Sequence, residues 1–178
     1  MGDLDIDGAH TRHLTPMEMG LGPSRLHDRG RREQIAQAHR LIGPTIMGRL
    51  SHVQYVSGVD PVFAGLHGYE DIGDGRSYRT TAACYYPCHL SGPRDRRVTT
   101  IILPVAEPGW TGVRTVVHEL GHALDEVTRF EHDAAAVTRY AETNRREAFA
   151  EAFTAWVWEG DHRPALDTLA LFRSLVWP

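Results

Sequence analysis

Two histidines and a glutamate that could share one metal ion stand close together in the run Val116-Val117-His118-Glu119-Leu120-Gly121-His122-Ala123-Leu124-Asp125. The pattern is H-E-x-x-H. On a helix, positions i and i+4 lie on one face with Cβ atoms about 5–6 Å apart, so His118 and His122 can converge on one zinc through bonds of roughly 2.0–2.1 Å. Glu119 cannot ligate in the same geometry. It occupies the place from which a carboxylate accepts a proton from an activated water, the general-base position of a zinc peptidase. Gly121 is small enough to let another element approach this helix closely.

Two histidines leave zinc short of ligands, because a catalytic site usually has three protein ligands and a water. Downstream candidates for the third are Asp125, Glu126, Glu131, His132, Asp133, Glu142, Glu147 and Glu151. Asp125 shares the histidine face but lies too far along the axis to close a tetrahedron easily. It suits an acceptor that supports the metal ligands from behind, or else a helix-surface charge. A metzincin would carry Gly at 126 and His at 128; Glu126 and Thr128 stand there, which excludes that class. Glu147 and Glu151 are four apart and share one helical face, with Phe149 and Phe153 marking another. Either could ligate while the other holds a histidine ring nitrogen. Glu147 is favoured, although it could equally be a helix-start carboxylate stabilised by the macrodipole.

Several elements must position these groups. Asp28 is placed to cap a helix from near Gly30, with Ile35, Ala38, His39 and Leu41-Ile42 on one face, and Gly43-Pro44 ends or kinks it. Ile46, Met47, Leu50 and Val53 continue the apolar spacing in a second short helix. Glycine-rich residues 58–76 read as loop. Residues 77–86, rich in Thr and Tyr, and 98–103 (Val98-Thr99-Thr100-Ile101-Ile102-Leu103) read as strands of one small sheet. Thr111 is expected to cap the motif helix, which runs to about Val127 with Val113, Val116, Val117, Leu120, Leu124 and Val127 on its core face. Asn144, with Glu147 three residues on, predicts the start of a further helix that Gly160 stops. A last helix follows Asp161 and Pro164, with Leu166, Leu169, Ala170, Phe172 and Leu175 facing the core. Residues 1–27 read as an irregular N-terminal arm and 28–178 as a single domain of α+β class, whose helical C-terminal half carries the metal site.

Taken with Tyr140-Ala141-Glu142-Thr143-Asn144-Arg145-Arg146-Glu147-Ala148-Phe149-Ala150-Glu151-Ala152-Phe153, the motif resembles the glutamate-type zincins (gluzincins), in particular the catalytic domain of anthrax lethal factor and the Pro-Pro endopeptidases. The resemblance covers about a quarter of the chain. In that family the motif helix reads H-E-x-G-H-A-x-D and a later helix reads E-x-F-A-E-A-F. The resemblance implies a zincin-like fold with a small mixed sheet before the motif helix, zinc as cofactor, and Glu147 as third ligand. It implies Glu151 as support for a ligating histidine and Tyr140 as donor to the carbonyl oxygen that turns tetrahedral. It further implies a peptide or protein substrate bound in extended form along an edge strand, for which 98–103 fits the place. The connection from His122 to Glu147 is shorter than in the family, which implies a more open cleft. Residues 1–75 match neither relative.

Composition narrows the classes. The chain has 178 residues, with 19 Lys plus Arg against 23 Asp plus Glu and a formal net charge of −4, which speaks against a nucleic-acid partner. No apolar run of membrane-spanning length occurs, so no membrane partner is expected. The acidic opening residues have no apolar h-region and are expected not to be a signal peptide; the compartment, secretion included, is left open. Cys84 and Cys88 are the two cysteines. They are too few for a second metal site and read as free thiols or a local bridge. Arg29, Arg31 and Arg32 read as a solvated helix start, and Tyr85, Tyr86 and Trp110 as pocket-lining candidates or ordinary aromatics. A zinc endopeptidase of restricted specificity is the leading expectation. The alternatives are a metal-dependent enzyme acting on a small molecule through the same helix pair, or a non-catalytic binding protein on this fold.

Overall fold

A computed structural model of the protein describes residues 29–57, 83–86, 99–103 and 109–176. The expected arm (1–27), the Asp28 cap, the 58–76 loop and the thiols of Cys84 and Cys88 lie outside the described residues. Those described form an α+β fold: α1 (Arg29–Ile42), α2 (Pro44–Arg49), β1 (Val53–Ser57), β2 (Cys84–Tyr86), β3 (Thr99–Leu103), α3 (Gly109–Val127), α4 (Arg145–Glu159) and α5 (Leu166–Val176). A single 3-10 turn, Ala141–Thr143, precedes α4. Two compact units are present. One holds the three strands within His52–Gly112, together with the start of α1 to Gln34; the other comprises Ile35–Ser51 and Val113–Pro178 and carries His118, Glu119, His122, Asp125, Tyr140, Glu147 and Glu151. Among the described residues no helix is long and apolar enough to cross a membrane.

In the first unit the sheet order is β1-β3-β2. β3 runs parallel to β1, with Val53 opposite Thr99 and Ser57 opposite Leu103, and antiparallel to β2, with Cys84 opposite Ile102. Successive strand residues point to opposite faces, yet Ile101, Ile102 and Leu103 are all buried, so both faces of β3 are covered. Two expectations are corrected. Val53 opens a strand and does not continue a helix: in a run this short, apolar residues three apart fit either period, and Val53 and Tyr55 are types that favour a pleated surface. Strand 98–103, described over Thr99–Leu103, is bonded on both sides and is the central strand, not an edge. Arg29 and Arg32 are exposed, but Arg31 is buried, its Nη1 donating to Gln34 Oε1 at 3.1 Å. The arginines are therefore not a uniformly solvated cluster.

In the second unit, Ile35, Ala38 and Ile42 bury one face of α1, whereas Leu41 is exposed. Gly43 (φ +86°) turns the chain in a conformation that suits glycine, and Pro44 begins α2, where its missing N–H costs no helix bond. α3 starts two residues before Thr111 and buries Val113, Val116, Val117, Leu120, Ala123 and Leu124, while Val127 is half-buried. α4 is buried from Ala148 through Ala155, which makes it the central helix of this unit. Its aromatic side meets α5: Phe149 and Phe153 each approach Phe172 edge-on with ring centroids 5.6 Å apart. On α5 the buried residues are Thr168, Leu169, Phe172 and Leu175. The expected core residues Leu166 (85% exposed) and Ala170 face water. Leu166 opens the helix, where no element among the described residues covers it, and Thr168 can be buried because its hydroxyl meets His132 Nε2 at 3.0 Å.

Gly121 is where α3 and α4 cross. A Cβ there would stand 2.9 Å from Ala150 Cα and 3.2 Å from its carbonyl oxygen. That obstacle is backbone and cannot swing aside. Gly121→Ala is therefore expected to lower stability by about 1–3 kcal/mol, the range for overpacking, despite alanine's better helix propensity. Chemical denaturation checks this; an unchanged or raised midpoint would show that the crossing relaxes freely.

Candidate metal centre

The close crossing brings one face of α3 against the N-terminal turns of α4. Asn144 fixes where α4 begins, its side-chain oxygen accepting from the backbone N–H of Arg146 (3.0 Å) and Glu147 (3.1 Å). Glu147 falls in the first turn, but its carboxylate is directed at the two histidines. Glu147 Oε2 lies 3.0 Å from His118 Nε2 and 3.5 Å from His122 Nε2. Among the described residues, His118, His122 and Glu147 form a group whose ligand atoms all lie within 4.8 Å of one another. A tetrahedron with metal–ligand bonds of about 2.0–2.1 Å has ligand–ligand edges of about 3.3–3.4 Å. The two measured separations bracket that edge, and two imidazoles with a carboxylate are a donor set that zinc accepts. The residues fit the metal.

His118 is oriented from behind. Its Nδ1 lies 3.0 Å from Glu151 Oε1, one turn along α4 from Glu147. With the Nδ1–H donating to that carboxylate, the Nε2 lone pair faces the ligand group. Arg114, one turn before His118 on α3, approaches Glu151 Oε2 at 4.0 Å. The two imidazoles stand edge-to-face at 4.9 Å between centroids.

Without a metal the cluster is held by charge. Burial disfavours a charge on His118, but the carboxylates of Glu147 and Glu151 outweigh it and push the imidazole pKa up to about 10. Burial likewise opposes ionisation of Glu147, and its hydrogen bonds to His118 and His122 overcome this and hold the carboxyl well below the usual range. Glu151 is lowered chiefly by its bond to His118. A ligating histidine must be neutral, so metal uptake would displace a proton here.

Glu119 is buried (7% exposed) and outside the ligand group. Burial raises its pKa, against the opposing pull of His122 and His118. That direction brings a carboxylate toward the range in which a general base works. Tyr140 is half-exposed, with its ring centroid 6.0 Å from that of His118. Asp125 is fully buried and takes both terminal nitrogens of Arg145, Nη1 at 3.2 Å to Oδ1 and Nη2 to Oδ2. His132 is drawn away by Thr168 and by an edge contact with Phe149. Neither it nor Glu126, Glu131, Asp133 or Glu142 belongs to the ligand group. Trp110 is exposed and Tyr85 half-buried, each in the sheet-bearing unit; the side chain of Tyr86 lies outside the described residues.

The arrangement is a gluzincin-type ligand set with a carboxylate, Glu119, beside it, consistent with metal-activated hydrolysis. No protein family, curated protein or solved structure shows significant similarity to this chain. The case for function therefore rests on the site alone.

Sequence reasoning missed two residues. Arg114 had a weak signal, its i,i−4 relation to His118. Arg145 had none, because its partner Asp125 lies twenty positions away across a connection whose path the sequence does not specify. That connection leaves α3 through Arg129 (φ +61°) and Phe130 (φ +57°), two consecutive left-handed residues that are not glycine. Such a conformation costs roughly 1–2 kcal/mol per residue. The turn is offset by Phe130 N–H donating to the Asp125 carbonyl at 2.9 Å and by the guanidinium of Arg146, 4.9 Å from the Phe130 ring centroid.

Proposed function

We propose that the protein is a zinc-dependent endopeptidase of glutamate-zincin type, similar in its site to the lethal factor catalytic domain and the Pro-Pro endopeptidases. One observation carries the reading: a single oxygen of Glu147 faces the Nε2 atoms of both motif histidines at 3.0 and 3.5 Å. His118, His122 and Glu147 would hold zinc, which when bound supplies a Lewis acid and lowers the pKa of a water. Glu119 accepts a proton from the attacking water and passes it to the leaving amine. The Tyr140 phenol donates to the carbonyl oxygen as negative charge develops on it. Glu151 keeps His118 in the productive tautomer. A binding protein on this fold would need neither a buried carboxylate beside the ligands nor an accessible phenol next to them. The substrate is a peptide or protein segment in extended form, the conformation that exposes a single peptide bond to such a site.

The test is mass-spectrometric profiling of a diverse peptide library with zinc-loaded, chelator-stripped and zinc-restored protein. Cleavage at defined bonds is expected in the first and third samples and lost in the second. Absence of cleavage with one zinc confirmed per chain would overturn the peptidase reading and favour small-molecule chemistry at the same site.

A further inference from the structure

The position of Glu147 is not explained by the backbone that delivers it. Between Val127 and Arg145 the chain is irregular apart from the turn Ala141–Thr143, and it leaves α3 through the left-handed pair Arg129 and Phe130. Ligand atoms in a metal site must be placed within about 0.2 Å, and an irregular connection does not set distances that finely. The side chain of Arg145 can. Arg145 is the first residue of α4, two before Glu147. Its guanidinium forks onto the fully buried carboxylate of Asp125, which sits on α3 three residues after His122. The same Nη1 donates to the His132 carbonyl at 2.6 Å, and the guanidinium lies 5.8 Å from the Phe130 ring centroid. One planar group thus ties the motif helix, the connection and the start of the helix bearing the third ligand. The fork is geometrically demanding, since two parallel N–H···O bonds fix orientation as well as distance.

We infer that Arg145 is a positioning residue of the metal centre, its bidentate pair with Asp125 fixing Glu147 opposite His118 and His122. This rests on the metal-site reading above. It gives Asp125 a defined role: it acts on the site through Arg145 and the third ligand.

Zinc affinity of the full chain, measured by competition with a chromophoric chelator, tests the inference together with the ligand-field spectrum of the cobalt(II)-substituted protein. Arg145→Ala is expected to weaken zinc binding by about 10–100-fold, the range for residues that orient metal ligands, and to change the cobalt spectrum while helical circular dichroism persists. Arg145→Lys keeps the charge without the fork and should recover only part of the loss. Arg163→Ala removes an exposed ion pair with Glu159 at the far end of α4 and should leave both readouts unchanged. A purely stabilising pair would lower the melting temperature without altering affinity or spectrum in the folded protein. Wild-type affinity and spectrum in Arg145→Ala would therefore overturn the inference. Should that variant not fold, Arg145→Lys and Asp125→Asn carry the same readouts, and unchanged values in both would overturn it equally. A wild-type chain that takes up no zinc overturns the metal reading itself, whereas an unaltered variant beside a zinc-binding parent overturns the clamp alone.

Discussion

Glu119→Gln is expected to bind one zinc with affinity close to that of the parent and to cleave peptides about 10²–10⁴-fold more slowly, the usual contribution of a positioned general base. Three observations lead there. Glu119 lies outside the group of ligand atoms, so losing its charge leaves the donor set intact. Glutamine has nearly the same shape, so the buried space that Glu119 fills stays filled. Burial also disfavours the charged form of Glu119, raising its pKa. A buried carboxyl raised in this way is less stable as an anion in the folded chain than in water, so a neutral replacement should not lower stability. The measurement pairs kcat/KM on a cleaved library peptide with metal content per chain. A variant that cleaves at the parental rate would remove Glu119 from proton transfer. A variant that loses its zinc would show the carboxylate to be needed for the metal centre itself.

What was legible in the sequence was local. The motif helix follows from Val113, Val116, Val117, Leu120 and Leu124, which keep the helical period around His118 and His122. The start of α4 follows from Asn144, whose capping bonds span two and three residues. Gly121 was recognisable as a point of close approach, though not as the neighbour of Ala150. What was not legible depends on pairing across distance. The central place of β3 is set by hydrogen bonds to β1 and β2, and strand composition carries no record of which neighbour lies on which side. Val53 fitted a helical spacing only because the run was too short to separate the two periods. Leu166 is apolar and in phase with Leu169, yet exposed, because burial at a helix end depends on what else reaches it. Asp125 was legible as an acceptor near the site but its partner Arg145 was not, because only the folded connection between α3 and α4 brings the two together. The choice between Glu147 and Glu151 is the sharpest case. They share one face, one turn apart, and the sequence pattern alone left both open as the third ligand.

Glu147→Ala decides that choice by its size relative to Glu151→Gln. Glu147 Oε2 faces the Nε2 atoms of both histidines, whereas Glu151 meets the opposite nitrogen of His118. Residues that act through a ligand typically change metal affinity by about 10–100-fold. Glu151→Gln should fall in that range. Removing a ligand outright leaves zinc with two protein donors, so Glu147→Ala should weaken binding by more than about 100-fold, and cleavage should fall with occupancy. The fold should tolerate the change. Glu147 is at the edge of the buried stretch, the Asn144 cap uses only the backbone N–H groups of 146 and 147, and alanine is a strong helix former. Loss of affinity without loss of helical signal would thus report on ligation. Glu147→Gln separates charge from shape, since it keeps the side-chain volume and removes the anion; it should behave like the alanine variant. The reverse order, with Glu151→Gln losing zinc and Glu147→Ala retaining it, would place the third ligand one turn further along α4. It would also make Glu147 the residue that orients His118, so the same two helices would hold the metal with the roles of the two glutamates exchanged.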